Sequence, residues 1–157
     1  MGIYAIVLIL LAVIGLAAWV RLVPVDPGRW HVDPMEAEAP GAGGWLVRSE
    51  GGDTAWPAFD VTGETLLTAF DAVAMAEPRT ERIAGSVGEG RITYITRSAL
   101  WGFPDFATVT TVPDGQGATL AVLSRLRFGK SDMGVNRARI ERWLEALRQR
   151  LALVEPG

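Results

Sequence analysis

Cysteine is absent from the 157 residues, which removes thiol catalysis, disulfide staples and cysteine-ligated zinc and leaves the redox compartment open. Histidine occurs once, in Trp30-His31-Val32-Asp33-Pro34. A lone imidazole without clustered carboxylates is a poor metal ligand, so a structural or interface role is expected for His31 and no metal or cofactor is expected. Ser98, Ser124 and Ser131 have only that imidazole to share, and no Gly-x-Ser-x-Gly elbow occurs, so serine hydrolysis has no support and no catalytic residue is named. Lysine is also nearly missing: Lys130 stands alone. The run Gly-Ser-Val-Gly-Glu-Gly at 85–90 lacks the lysine and the following helix of a phosphate loop and reads as a hairpin turn.

What charge there is divides unevenly. The net charge is −3, but residues 1–90 hold 5 basic and 12 acidic side chains while residues 91–157 hold 10 and 6. The basic C-terminal part does not mass its arginines on one exposed face. They alternate with apolar residues at strand and helix spacing, and nucleic acid is not an expected partner.

One long uncharged run is present, Ile3 to Val20, followed by Arg21. As a helix it would be about 27 Å long, enough to cross the hydrocarbon core. Gly15-Leu16-Ala17 would serve as a signal-peptidase site, but the basic n-region of a cleaved signal is missing, and Trp19 with Arg21 matches an interfacial anchor. The expectation is a transmembrane anchor over 1–21 retained in the mature protein, with the membrane as partner.

Residues 22–57 carry five prolines (Pro24, Pro27, Pro34, Pro40, Pro57) and Gly41-Ala42-Gly43-Gly44, with no period of 2 or 3.6. They read as a tether, although Trp30, Trp45 and Trp56 suggest that parts of it lie back on the domain. A globular domain is expected over 58–157. Thr62 can cap a helix over 64–77 whose Leu66, Phe70, Val73 and Ala74 recur at helical spacing, and Pro78 stops it. Strands are expected over 81–87, 91–99, 106–112 and 118–128, the last two joined by Asp114-Gly115-Gln116-Gly117. Ile140, Trp143, Leu144, Leu147, Leu151 and Val154 then share one face of a long final helix. The fold class is α+β: an antiparallel sheet of about four strands packed with an N-terminal and a long C-terminal helix.

The densest polar chemistry lies at the last strand-to-helix junction, Ser124 to Ile140, which holds Arg125, Arg127, Lys130, Asp132, Arg137 and Arg139. In a meander this junction shares a sheet edge with the stretch from Arg97 to Asp105, and both stretches end in Gly-x-x-Asp. If Val112 faces Ala118, Asp105 falls opposite Arg125 and the two can pair across the strands. Asp132 stands where it can cap the final helix, with Asn136, Arg137 and Arg139 in its first turns. Arginines there oppose the helix dipole and need anionic partners. Two readings follow: a structural network joining sheet to helix, or an anion site in which Arg97, Arg125, Arg127 and Arg137 grip a phosphate or carboxylate by forked hydrogen bonds.

Trp30-His31-Val32-Asp33-Pro34, Arg97-Ser98 with Gly102-Phe103-Pro104-Asp105, and Ser124-Arg125-x-Arg127-x-Gly129-x-Ser131-Asp132-x-Gly134-x-Asn136-Arg137-x-Arg139-Ile140 resemble a bacterial and plastid family called domain of unknown function 1499, from about Trp30 to Leu151. The resemblance supplies no catalytic residues. It implies a cell-envelope role at the bacterial inner membrane and favours a periplasmic domain, whereas Arg21 and Arg29 alone favour a cytoplasmic one. The expected function is a membrane-anchored, non-enzymatic accessory or binding module with a membrane protein complex or anionic lipid as partner. The alternative is a carrier or sensor of an anionic amphiphile held between sheet and last helix.

Overall fold

A computed structural model describes residues 2–152. Helix α1 (Gly2–Leu22) takes up the uncharged run, exposes nearly all of its side chains and buries only Val20. At 21 residues it is long and apolar enough to cross a membrane. A short helix α2 (Pro27–Trp30) follows, with Pro27 at its start and the Asp26 carboxylate accepting from Gly28 N at 3.1 Å.

The sheet is wholly antiparallel in the order β1-β5-β4-β3-β2, with β1 Gly44–Val47, β2 Thr80–Ser86, β3 Arg91–Arg97, β4 Pro104–Asp114 and β5 Gly117–Leu126. Helix α3 (Gly63–Ala76) precedes β2, and α4 (Val135–Ala152) ends the described chain, so Val154 lies outside it. Thr62 caps α3 by accepting from Thr65 N at 3.1 Å. The fold is α+β as expected, but with five strands where about four were predicted. The fifth, β1, comes from the Pro/Gly-rich segment and pairs with β5 from Gly44↔Arg125 to Val47↔Val122. It is only four residues long and buried on both faces at its end, so it carries no alternating pattern.

Period-2 alternation sorts the sheet into two faces. Tyr94, Val109, Leu120 and Val122 meet Leu66, Leu67 and Phe70 of α3 and Ile140, Trp143 and Leu147 of α4 in the main core. Each such side chain contributes about 1.5–3 kcal/mol on burial. The opposite face is covered by the segment after α1. Trp30 stacks on Phe106 at 3.8 Å between ring centroids, next to Ile95, while Leu46, Leu123 and Ala37 form a smaller cluster. A chain of hydroxyls joins the layers: His31 Nδ1 to Thr93 Oγ1 at 2.8 Å, Thr93 Oγ1 to Thr108 Oγ1 at 2.9 Å, and Thr108 Oγ1 to the Trp30 carbonyl at 2.9 Å. The segment is therefore a third layer of the fold.

The register between β4 and β5 differs from expectation by one residue. Asp114 pairs with Gly117 around a two-residue loop, so Val112 faces Thr119, and Asp105 faces Leu126 instead of Arg125. Because side chains alternate, a slip of one residue sends Asp105 and Arg125 to opposite faces of the sheet.

Candidate functional site

The edge where β3 ends, β4 begins and β5 ends gathers the arginines, and the corrected register divides them. On the helix face, Arg139 of α4 reaches back to Asp105, Nη2 to Oδ2 at 3.0 Å, and its Nη1 donates to Asn136 Oδ1 at 3.0 Å. Ser124 Oγ donates to the same oxygen at 2.6 Å. Ser124 and Asn136 are fully enclosed and Arg139 is nearly so. Burial pushes the Asp105 carboxyl above its ordinary range, a shift that Arg139 opposes. Asp132 holds the start of α4, its two oxygens accepting from Gly134 N at 2.9 Å and Asn136 N at 2.7 Å. Arg137 pairs with Glu141 at 2.8 Å and lies over the Trp45 ring at 4.6 Å. The expected Asp105–Arg125 pair is thus replaced by Asp105–Arg139.

On the segment face, Arg125 Nη2 donates to the Trp30 carbonyl at 3.0 Å and its guanidinium lies 5.1 Å from the Trp30 ring centroid. Burial, then the nearby charge of Arg29, lowers its pKa. Arg127 Nη2 donates to the Pro24 carbonyl at 2.8 Å and its guanidinium lies over Phe128. The Arg97 side chain donates from Nη1 to the Gly102 carbonyl at 3.2 Å, and the Arg97 carbonyl accepts from Arg79 Nε at 3.1 Å. The exit of α1 enters this edge. Trp19 packs on Phe128 at 5.4 Å, and Arg21 Nη2 donates to the Leu100 carbonyl at 2.9 Å. Gly102 makes that approach possible, since its φ is +75° and an added Cβ would sit 2.9 Å from Arg21 Cγ. Leu100, Trp101 and Phe103 of the same loop remain exposed.

A 95-residue stretch of the chain, 53–147, matches the sequence pattern of the family described as Protein of unknown function (DUF1499). The chain belongs to this family. No curated protein matches it. Among solved structures it is similar to the X-ray crystal structure of protein MLL2253 from Mesorhizobium loti, at 14% identity and a TM-score of 0.49 over 62% of this chain and 94% of that one. The DUF1499 match takes in Arg97, Asp105, Arg125, Arg127, Asp132, Asn136, Arg137 and Arg139. It starts after β1, so the Trp30–Pro34 element and β1 lie before it.

Several polar groups escaped sequence reasoning. Arg29 counts in the sequence only as a charge near the apolar run, because it lies in the irregular segment, and only the fold brings it near Arg125. Arg48 gathers the carbonyls of Pro34, Met35 and Ala37 on one nitrogen and that of Gly51 on another, at 2.8–3.1 Å. Asp71 of α3 takes two hydrogen bonds from Arg82, at 2.6 and 2.5 Å, and one from the Tyr94 hydroxyl at 3.0 Å. Burial and the Asp71 charge push the Tyr94 pKa up. A carboxylate next to Phe70 on a helix face otherwise bound for the core was the available signal.

Proposed function

We propose that the protein is a membrane-anchored binding module without catalysis of its own, whose domain rests against the membrane surface as an accessory to other membrane components. The observation that carries this is the grip of the domain edge on the end of α1: Arg21 on the Leu100 carbonyl, Trp19 on Phe128, and Arg127 on the Pro24 carbonyl. A helix free to swivel on a loose tether would need none of these contacts. The grip brings exposed Leu100, Trp101 and Phe103 to the level of the helix end, where aromatic and apolar side chains suit the interfacial region. The carrier reading is less well supported, because Trp143, Leu147, Phe70 and Tyr94 fill the space between sheet and α4 that an amphiphile would occupy. The family resemblance supports the bacterial inner membrane and a periplasmic domain.

The lack of cysteine makes the test clean, since one introduced cysteine carries one spin label. A label at Leu100→Cys in the full chain, reconstituted in lipid nanodiscs, should collide with oxygen more than with a water-soluble nickel chelate. A label at Glu145→Cys on exposed α4 should do the reverse. Equal nickel accessibility at both positions would refute the surface-resting domain, and extraction of the unlabelled protein from membranes by alkaline carbonate would refute the anchor. Protease access in spheroplasts reads the side of the domain.

A further inference from the structure

Where the chain leaves α1 and crosses the end of β5, a pocket of about 370 Å³ opens between the two. Trp19 and Val23 wall it from the helix side, Phe128 and Arg127 from the domain side, and Arg29 and Trp30 of α2 close it. Its cationic groups are short of partners. Among the described residues neither Arg29 nor Arg127 forms a salt bridge, and neither does Arg125, which like Arg29 lies beside the Trp30 ring. Arg127 spends Nη2 on the Pro24 carbonyl, but its Nη1 is shut off from water with no hydrogen-bond partner. Arg125 Nε is in the same condition. Buried donors of this kind are costly to leave unmet, and a guanidinium has five to satisfy. Against two arginines in its lining, with Arg125 nearby, the pocket has one carboxylate, Asp26, with Oδ1 already accepting from Gly28 N.

We propose that this pocket binds a phosphate group, with Arg29 and Arg127 as its ligands and Arg125 adding charge from nearby. An anion with several acceptor oxygens would meet the exposed guanidinium of Arg29, which makes no side-chain hydrogen bond among the described residues, together with Arg127 at the pocket wall, and would relieve the crowding of like charges; forked guanidinium geometry suits a phosphate. The source that fits the location is the headgroup of an anionic phospholipid. Trp19 and Val23 flank the end of a helix long enough to span the bilayer, so the pocket opens at headgroup depth, and α1 offers an apolar exposed surface along which acyl chains can run. The lipid source rests on the membrane-anchored reading above; the phosphate chemistry does not.

Arg29 gives the clean variant, since its side chain makes no hydrogen bond within the described residues and Arg29→Gln should leave the fold intact. Asp26→Asn gives the opposite sign: it keeps an oxygen for the α2 cap while removing the one carboxylate. Two measurements on the full chain separate the sources. Native mass spectrometry from nanodiscs of equal phosphatidylglycerol and phosphatidylcholine counts retained lipids, and titration of detergent-solubilised protein with inorganic phosphate reads the free anion. Retention of phosphatidylglycerol over phosphatidylcholine should fall about tenfold or more in Arg29→Gln, through loss of one charge-assisted contact, and rise in Asp26→Asn, through loss of the one negative charge in the pocket lining. Arg142→Gln, on the far side of the domain, should match wild type. Phosphate binding in detergent with the same variant order but no lipid preference would uphold the phosphate site and overturn its lipid source. Identical behaviour of wild type, Arg29→Gln and Asp26→Asn in both measurements would overturn the site. Failure of the protein to stay in nanodiscs, with phosphate binding in detergent keeping the same variant order, would overturn the anchor and with it the lipid source, and would leave the phosphate site standing.

Discussion

Removing Asp105 should destabilise the domain through Arg139, and the effect should be absent between Asp105 and Arg125. The Arg139 and Asp105 side chains are 8% and 15% exposed, so Asp105→Ala strands a guanidinium that water hardly reaches. Breaking a buried pair from one side costs about 3–5 kcal/mol, and the residual hydration of Asp105 points to the lower end, about 3 kcal/mol. Arg139→Ala removes the partner and also the donor to Asn136 Oδ1, so its cost should be similar. With both gone neither charge is stranded, and the double variant should recover about 1–3 kcal/mol relative to additivity. The parallel cycle on Asp105 and Arg125 should be additive to about 0.5 kcal/mol, since the two share no partner and lie on opposite faces of the sheet. Denaturant unfolding of the full chain in mild detergent, followed by near-ultraviolet circular dichroism, gives both cycles. Additivity of the first cycle, or stronger coupling in the second, would refute the register and the network together.

Asp132→Ala removes acceptors from two backbone amides at the start of α4 and should cost about 0.5–2 kcal/mol in the same unfolding measurement. Trp30→Ala opens a hole over Phe106 and should cost about 3–5 kcal/mol, with faster proteolysis between residues 23 and 43 as its local sign. Gly44→Ala would drive a Cβ into the Ser124 carbonyl oxygen, so β1 should detach from β5 and its amides should lose protection from hydrogen exchange. Because folding raises the Asp105 pKa above 3.8, the folded state holds that proton more tightly than the unfolded chain. The stability of wild type relative to Asp105→Asn should therefore decline as pH rises through the window just above 3.8, read from unfolding midpoints between pH 3 and 6.

Elements with a strong period were legible in the sequence. The helix expected over 64–77 runs Gly63–Ala76, and the four long strands lie within about two residues of expectation at most ends, because Thr62, Pro78 and the glycine turns mark them physically. What escaped was set by contact between distant parts of the chain. The turn at Asp114-Gly115-Gln116-Gly117 admits loops of two or three residues, and only the closed sheet picks the two-residue form that separates Asp105 from Arg125. In the same way β1 is an edge strand whose four residues acquire meaning only against β5. At the site, the sequence identified the cluster of arginines but not their partners, since Trp30, Pro24 and Leu100 offer backbone carbonyls that no motif records.

The two faces of this edge give its arginines different tasks, and the difference follows from which layer each can reach. Arg139 issues from a helix packed on the core face, where a lone charge is too costly, so Asp105, Asn136 and Ser124 are enclosed with it, and even the unpartnered Asn136 Nδ2 is sealed away from a ligand. Arg125 and Arg127 issue from the end of β5 toward the segment that enters from α1, and that segment meets them with carbonyls and an aromatic ring instead of carboxylates. A carbonyl fixes a guanidinium in place without neutralising it. The arginines are thus held in position without a salt-bridge partner among the described residues, at the edge of the domain where the apolar helix α1 enters. Charge that is fixed but uncompensated favours an anion over a neutral ligand, and this is why the segment face, and not the buried Asp105–Arg139 network, is where binding is to be sought.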